Sequence, residues 1–352
     1  MKILVTGAGG LIGSWAAEFY KNKGDEVVGL DNFERSQLLG HTVSPMRRYY
    51  NKHRLETLGV LIEDMDVSQA RSFQLLHDKY GPFDWILHLA AQCGVPTSIE
   101  RPRRDFEVNA VGTLNVLEHA REHGAGVVYA STNKVYPIHS GWRREDGRWR
   151  WENQNLHRFG WPVTGMNLAI CQGTRTPYGT SKYAGDLYCQ EYAQMYDMRV
   201  GVFRMSCIVG EHQLSFQEQG WVTWFMLANL GQQPITVFGD GQQVRDILHV
   251  SDAVRAYDGF ITSDIHNGVW NLGGGPEQSI SINDCLLAIQ ETTGKRFKGE
   301  VTYEGWRTSD QRCYTSDIRP VMKQLRWRPR IPSVEIFDRL GEWVSLHVQH
   351  LI

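Results

Sequence analysis

The sequence predicts an α/β fold, a doubly wound parallel sheet with a smaller, interleaved C-terminal domain. Three observations carry this. Short apolar runs alternate with helical stretches through the first half of the chain, which is the pattern of a parallel sheet covered on both faces. A glycine-rich turn joins the first apolar run to the first helical stretch, in Met1-Lys-Ile-Leu-Val-Thr-Gly7-Ala-Gly-Gly10-Leu11-Ile12-Gly13. Beyond Ser206 the segments become shorter and more irregular, with Gly239-Asp-Gly241 and Gly273-Gly-Gly275 as turn signals.

Taken in order, strands are expected at 2–6, 26–30, 60–65, 84–89, 126–131 and 199–203, and helices at 12–22, 69–79, 103–123 and 178–196. Residues 1–205 make the sheet domain, with residues 137–176 as an insertion too long for an ordinary connection. Residues 206–352 make mainly a ligand-binding domain, with part of 235–270 returning to the first. No low-complexity linker and no internal repeat separates the two. The insertion is rich in tryptophan and arginine, including Trp142, Trp149, Trp151, Arg143, Arg144, Arg148 and Arg150. It reads as a lid or a subunit contact rather than a single-strand nucleic-acid patch.

Composition narrows the function classes. The chain has 352 residues, 41% hydrophobic and 22% charged, with a net charge of −2. That is ordinary for a soluble globular protein and gives no basic surface for nucleic acid. No apolar run approaches the length of a membrane span, and no leader precedes the glycine turn, so a cytoplasmic protein is expected. The six cysteines are scattered without Cys-x-x-Cys and read as inert thiols in a reducing compartment. The thirteen histidines show no metal-ligand spacing, and no metal is expected. His88, inside Ile86-Leu-His-Leu-Ala-Ala91, reads as a core residue.

The glycine turn lies between a strand and a helix, the context that a dinucleotide fingerprint of the Rossmann type requires. Gly7, Gly10 and Gly13 let the backbone approach a pyrophosphate, and the helix start at Leu11 and Ile12 attracts its charge. Asp31 ends the second strand, 18 residues after Gly13. A carboxylate there accepts both hydroxyls of an adenosine ribose and repels a 2′-phosphate, which favours NAD over NADP. Arg35 is the one nearby residue that suits a phosphate instead. Asn32 follows Asp31. Asp66 and Val67 follow the third strand, where such folds hold adenine. Leu89, Ala90, Ala91 and Gln92 follow the fourth, along the path of the pyrophosphate and nicotinamide ribose.

Tyr178 and Lys182 lie four apart, on one face of a helix. An ammonium beside a phenol favours the phenolate, so Lys182 is expected to lower the Tyr178 pKa and make it a proton acceptor. Ser131 and Thr132 end a strand, facing the ligand crevice of an open α/β sheet. Thr132 is placed to bridge a reacting hydroxyl and the phenol. Arg245 and Arg307 offer guanidinium forks for a diphosphate, although each has an acidic neighbour, Asp246 or Asp310. Trp221 suits packing on a base or sugar, or burial in the core.

Together Gly7, Gly10, Gly13, Asp31, Asn109 in Asn-Ala-Val-Gly-Thr-Leu-Asn115, Thr132, Tyr178 and Lys182 resemble the extended short-chain dehydrogenase/reductase superfamily, the nucleotide-sugar epimerases and dehydratases. The resemblance runs from Met1 to about Trp327. It implies that Tyr178 is the general acid/base, that Lys182 holds the nicotinamide ribose, and that Thr132 bonds the substrate hydroxyl. It further assigns Asn109, Ser131 and Arg204 to the cofactor region. Asn133, Lys134, Ser206, Gln219, Gly220, Trp221, Val222, Arg245, Arg307 and Asp310 fall to a nucleotide-diphosphate sugar.

Sugar 4,6-dehydratases carry Asp-Glu where this chain has Asn133-Lys134, so a carboxylate for dehydration is missing. The runs Ser131-Thr-Asn-Lys-Val-Tyr136, Gln219-Gly-Trp-Val-Thr-Trp-Phe225, Gln243-Val-Arg-Asp-Ile-Leu-His249 and Arg307-Thr-Ser-Asp-Gln-Arg312 are similar to the branch that epimerises CDP-sugars at C2. Two departures touch the sugar region: Pro137 stands where glycine usually follows Val-Tyr, and Phe203-Arg-Met-Ser-Cys-Ile-Val-Gly210 keeps only part of the family pattern. The expectation is epimerisation through a transient ketone with NAD regenerated, by a homodimer or homotetramer. A 4-epimerase, a one-way dehydrogenase or reductase, and a non-catalytic NAD- or RNA-binding scaffold are the alternatives.

Overall fold

In the computed structural model of the chain, residues 1–137, 142–145, 148–151, 174–298, 301–307 and 310–351 are described, with 142–145, 148–151 and 350–351 as backbone alone. Contacts divide the chain into two compact units. The first joins Met1–Val135, Thr176–Arg204 and Val254–Trp270, and the second joins Tyr136–Arg175, Met205–Ala253 and Asn271–Ile352.

The first unit is built on a seven-stranded sheet. Its strands are Lys2–Thr6, Glu26–Asp31, Leu61–Asp64, Trp85–His88, Gly126–Thr132, Val200–Met205 and Asn267–Leu272. The Lys2–Thr6 strand lies between those of Glu26–Asp31 and Trp85–His88, and both pairs run parallel. Glu26–Asp31 also pairs in parallel with Leu61–Asp64, and Trp85–His88 with Gly126–Thr132. Strand order therefore reverses beside the first strand, where the crevice of a doubly wound sheet opens.

The strands are apolar on both faces because helices cover both. Ile3, Leu4, Val5, Ile86, Leu87, Val127 and Val128 are fully buried. Leu11–Asn22, Ala70–Tyr80, Gly112–His123 and Pro177–Met195 are the main helices of this unit. The expected helix 103–123 is composite: Pro102–Phe106 leads into a π-helical turn, Glu107–Val111, and then into Gly112–His123. Such a turn marks functional sites in many helices, and this one carries Asn109.

Val254–Trp270 belongs to the first unit for a packing reason. Phe203 meets Tyr257 and Trp270 with ring centroids 5.0 and 5.2 Å apart, and Trp85 meets Phe260 at 5.8 Å. Elsewhere in this unit His88 is buried, with Nδ1 2.8 Å from Thr6 Oγ1 and Nε2 3.1 Å from Thr113 Oγ1, the core role that its apolar run predicts. At the ends of two helices His77, His119 and His123 converge. Burial, together with the other two rings, pushes the His119 pKa down to about 4.

In the second unit, Val244–His249 is the centre of a small sheet. It pairs antiparallel with Ser279–Ser281 and parallel with Cys207–Val209 and Cys313–Tyr314. The helices Trp221–Leu230, Ile282–Thr293 and Ser333–Leu351 pack on one another. Of the expected lid, Trp142–Glu145 and Arg148–Trp151 pair as an antiparallel ribbon. Residues 138–141, 146–147 and 152–173 of it, including Trp161 and Cys171, lie outside the described residues. Cys93, Cys189, Cys207, Cys285 and Cys313 are not in disulfides. No helix among the described residues is long and apolar enough to cross a membrane.

Candidate active site

The glycine turn follows the first strand directly. Gly7 has φ +72°, and a Cβ there would lie 2.7 Å from the Ala90 backbone nitrogen. A side chain at Gly13 would lie 2.0 Å from the Gly7 carbonyl oxygen, so the helix packs tightly on the turn. Gly10 heads that helix, and its N–H donates to the Gly7 carbonyl at 3.0 Å. Leu11 and Ile12 form the first turn and are half-buried. Asn51, on another helix, donates to the Gly9 carbonyl at 3.0 Å.

Asp31 closes the cradle. Its Oδ2 accepts from the Gly9 N–H at 2.9 Å and its Oδ1 from the Phe33 N–H at 2.7 Å. Burial raises its pKa, while these two backbone bonds oppose the rise. A carboxylate has about four acceptor sites, so capacity for two ribose hydroxyls remains. Asn32 and Arg104 both donate to Asp66, which also accepts the Ser68 N–H at 2.8 Å. Val67 is buried against Gly112, and its carbonyl accepts from Asn115 at 2.9 Å. Leu89 and Ala90 both donate their N–H to Thr6 Oγ1 at 3.2 Å, and Ala91 follows them, half-buried.

Tyr178 stands in the first turn of the helix Pro177–Met195, capped by Thr176, whose hydroxyl accepts from the Gly179 N–H at 3.1 Å. The sequence brings Tyr178 to Thr132 as expected: the threonine hydroxyl bonds the phenol oxygen and lowers its pKa. The net direction corrects the expectation, however. Burial dominates and raises the Tyr178 pKa, with Cys93 and Asp105 adding to the rise.

Lys182 is buried, which pushes its pKa down to about 8. Its Nζ lies 4.2 Å from the centroid of the Tyr129 ring. No hydrogen bond or ion pair to Nζ is found among the described residues. A buried ammonium without such a partner is costly and fits a ligand that brings acceptors, such as ribose hydroxyls.

Behind this pair runs a buried polar network. Asn109 Nδ2 donates to the Gln92 carbonyl at 3.0 Å, to Asp105 Oδ1 at 3.1 Å and to Ser181 Oγ at 3.1 Å. The Gln92 N–H returns a bond to Asn109 Oδ1 at 2.9 Å. Ser181 donates to Asp105 Oδ2 at 2.5 Å. A second knot centres on Asp186. Arg204 grips it with two bonds of 2.8 and 2.9 Å, and Ser131 Oγ donates to it at 2.6 Å.

Sequence reasoning singled out Asn109, Ser131 and Arg204 but missed Asp105, Ser181 and Asp186, which hold them. One signal was present: Tyr178, Lys182 and Asp186 follow at intervals of four and so share a helix face. Asp105 lies four residues before Asn109 and gave the same signal within one expected helix, whereas its bond to Ser181, 76 residues away, gave none.

In the same unit as Tyr178, Thr132 donates to Asn133 Oδ1 at 3.3 Å and accepts the Lys134 N–H at 3.3 Å. The second unit holds the other expected ligand residues. Arg245 pairs with Asp310 at 2.9 Å rather than with its neighbour Asp246. Asp246 is instead buried, accepting the Ser206 hydroxyl at 2.5 Å and the Gly275 N–H at 3.0 Å. The Arg307 guanidinium lies over the Phe238 ring, 4.0 Å from its centroid. Gly220 has φ +82° and caps the helix that Trp221 opens. Trp221 is half-buried, bonded to Cys207 and 6.0 Å from Phe225, and Val222 is buried. Gln219 Oε1 is buried without a hydrogen-bond partner among the described residues.

A glycine cradle at the edge-reversal of a parallel sheet, an acidic residue ending the second strand, and a set of buried Thr132, half-buried Tyr178 and buried Lys182 define a dinucleotide-dependent enzyme of the Rossmann class. The chain belongs to the NAD dependent epimerase/dehydratase family, whose model matches residues 3–273. It is 31% identical to a CDP-paratose 2-epimerase of Salmonella typhi, over 98% of this chain and 99% of that one. It is 27% identical to a UDP-glucuronate 4-epimerase of Thermodesulfobacterium geofontis, over 98% and 97%. Among solved structures it resembles a UDP-glucose 4-epimerase of Thermus thermophilus in complex with NAD, with a TM-score of 0.76, 26% identity, and coverage of 100% and 99%. By family it is an NAD-dependent enzyme of the epimerase/dehydratase type, and NAD is its cofactor.

Proposed function

We propose that this enzyme interconverts C2 epimers of a CDP-sugar of the CDP-paratose/CDP-tyvelose type. The observation that carries the reading is the near-complete match, at 31% identity, to a CDP-paratose 2-epimerase. Asn133 and Lys134 support it, since neither supplies the carboxylate that a dehydratase needs at those positions.

Bound NAD supplies reversible hydride transfer at C2 of the sugar. Gly7, Gly10 and Gly13, with Leu11 and Ile12, hold its pyrophosphate. Asp31 and Asn32 hold the adenosine ribose, Asp66 and Val67 flank the adenine, and Leu89 to Gln92 line the path onward. Lys182 donates to the nicotinamide ribose, whose hydroxyls satisfy its ammonium. Asn109, Ser131 and Arg204 act by positioning, through Asp105 and Asp186.

With the cationic nicotinamide and the Lys182 ammonium beside it to lower the phenol's pKa in the loaded enzyme, Tyr178 would accept the proton of the C2 hydroxyl as the C2–H bond breaks, which leaves a 2-keto sugar. Thr132 bonds the reacting oxygen and the phenol oxygen in turn. The ketone rotates, C2 regains hydrogen on its other face, and Tyr178 returns the proton to oxygen. Asn133, Lys134 and Ser206 contact the sugar. Gln219 to Val222 receive the nucleoside, and Arg245 and Arg307, with Asp310 orienting Arg245, bind the diphosphate.

The test is a proton NMR time course of purified protein with CDP-paratose or CDP-tyvelose and no added NAD. Interconversion of the two establishes bound cofactor and C2 chemistry together. No conversion, with NAD shown to be bound, overturns the C2 assignment. A panel of UDP-, GDP- and CDP-sugars then identifies a 4-epimerase, and stoichiometric NADH release identifies a one-way dehydrogenase.

A further inference from the structure

Three histidines meet where two helices of the first unit end. His77 lies in the last turn of Ala70–Tyr80, and His119 and His123 lie in the last two turns of Gly112–His123. The pair at 119 and 123 is four apart, so both rings leave one helix face, and His77 comes to them from the other helix. The His77 and His123 rings stack at 3.9 Å, and His119 meets His123 at 4.6 Å. One ligand atom from each ring lies within 4.8 Å of those of the other two.

Packing alone does not account for the arrangement. His119 is buried and touches Phe73 at 5.7 Å, as a core aromatic would. Yet no hydrogen bond to any ring nitrogen of the three is found among the described residues, and His77 Nδ1 is fully buried without a partner. A buried imidazole nitrogen left unpaired is unfavourable, and stacking does nothing to relieve it. Each helix also directs its carbonyl end, the negative pole of its dipole, toward this point.

We propose that His77, His119 and His123 form a site for one divalent transition-metal ion of the zinc class. Three imidazoles with an open fourth position are a known zinc donor set, and imidazole selects zinc, copper or nickel over magnesium or calcium. Zinc–nitrogen bonds of about 2.0–2.1 Å need the three nitrogens about 3.3 Å apart, a side-chain adjustment from their present spacing. The ion staples the helix Ala70–Tyr80 to the helix Gly112–His123. The site shares no residue with the NAD cradle or the Thr132–Tyr178–Lys182 set.

The experiment uses full-length protein without a polyhistidine tag, stripped with chelator. Co²⁺ is titrated by visible absorption, Zn²⁺ by calorimetry, and melting is followed with and without Zn²⁺. The expected result is one ion per chain and a melting temperature raised by zinc. His77→Asn and His123→Asn, at half-buried positions, should each weaken binding by roughly 100-fold or more, since loss of a ligand exceeds the effect of loss of an outer-shell partner. They should also abolish the zinc-dependent rise in melting temperature, while His53→Asn, on the exposed surface, changes neither. Binding that is unchanged in both variants, a thiolate charge-transfer band on Co²⁺ addition, or no binding by the wild type at millimolar metal overturns the proposal.

Discussion

At the scale of single residues, the site depends on two ionisable groups, half-buried Tyr178 and buried Lys182, whose pKa values desolvation moves in opposite directions. The phenol of Tyr178 is raised and the ammonium of Lys182 is lowered, because each is driven toward its neutral form. Tyr178→Phe should lose about 10²–10⁴-fold in turnover, the range of one acid/base residue, while the purified variant still carries NAD by absorbance and extraction. Wild-type turnover would remove the tyrosine from the chemistry.

Lys182 gives a stability prediction of definite sign. Its pKa falls from 10.5 to about 8 on folding, so between those pH values the unfolded chain binds more protons. Stability of the NAD-free protein should therefore rise as pH increases from about 8 to 10.5. Lys182→Met should lack that rise and should be about 1–3 kcal/mol more stable than wild type at pH 7, by urea unfolding. A destabilised methionine variant at pH 7 would show that partners in the fold already stabilise the buried charge.

At the scale of elements, the turn and the catalytic helix are fixed by contacts that leave little tolerance. Gly13→Ala places a methyl on the Gly7 carbonyl, whereas a Cβ at Gly10 would stand 3.2 Å from that same oxygen. Gly13→Ala should therefore fail to accumulate as folded protein. Gly10→Ala should fold with a near-native circular dichroism spectrum and lose bound NAD, as the side chain obstructs the approach of pyrophosphate.

Asp186 joins the helix Pro177–Met195 to two strands, through Ser131 on one and Arg204 on the other. Arg204→Met leaves a buried carboxylate without its cation. The expected cost is about 3–5 kcal/mol in urea unfolding. A cost below 1 kcal/mol would show that the Arg204–Asp186 pair does not hold the helix to the strands.

At the scale of the whole molecule, the unit that carries the glycine turn is assembled from three stretches of chain. Its last stretch, Val254–Trp270, delivers Tyr257, Phe260 and Trp270 to the side of the sheet where Phe203 lies. Trp270 is fully buried. Trp270→Ala, more than 60 residues from Arg204 in sequence, should destabilise this unit by about 3–5 kcal/mol and reduce the NAD carried through purification. Unchanged NAD content and an unchanged unfolding midpoint would detach this stretch from the unit.

The sequence by itself determined the local structure and the chemistry of the glycine turn. Apolar runs between helical stretches define strands whatever their partners, and the glycine spacing and Asp31 act within one strand–turn–helix segment. Tyr178 and Lys182 were legible for the same reason, since a helix fixes the relation of residues four apart. Only the tertiary structure decided what surrounds them. Burial, a property of the packed chain, reversed the expected shift of the phenol. Asp105 joined Ser181 from another helix, Arg245 took Asp310 instead of its neighbour, and His77 reached His119 and His123 across two helices. Each of these is a contact between residues distant in sequence, fixed by the packing of elements and not by spacing along the chain.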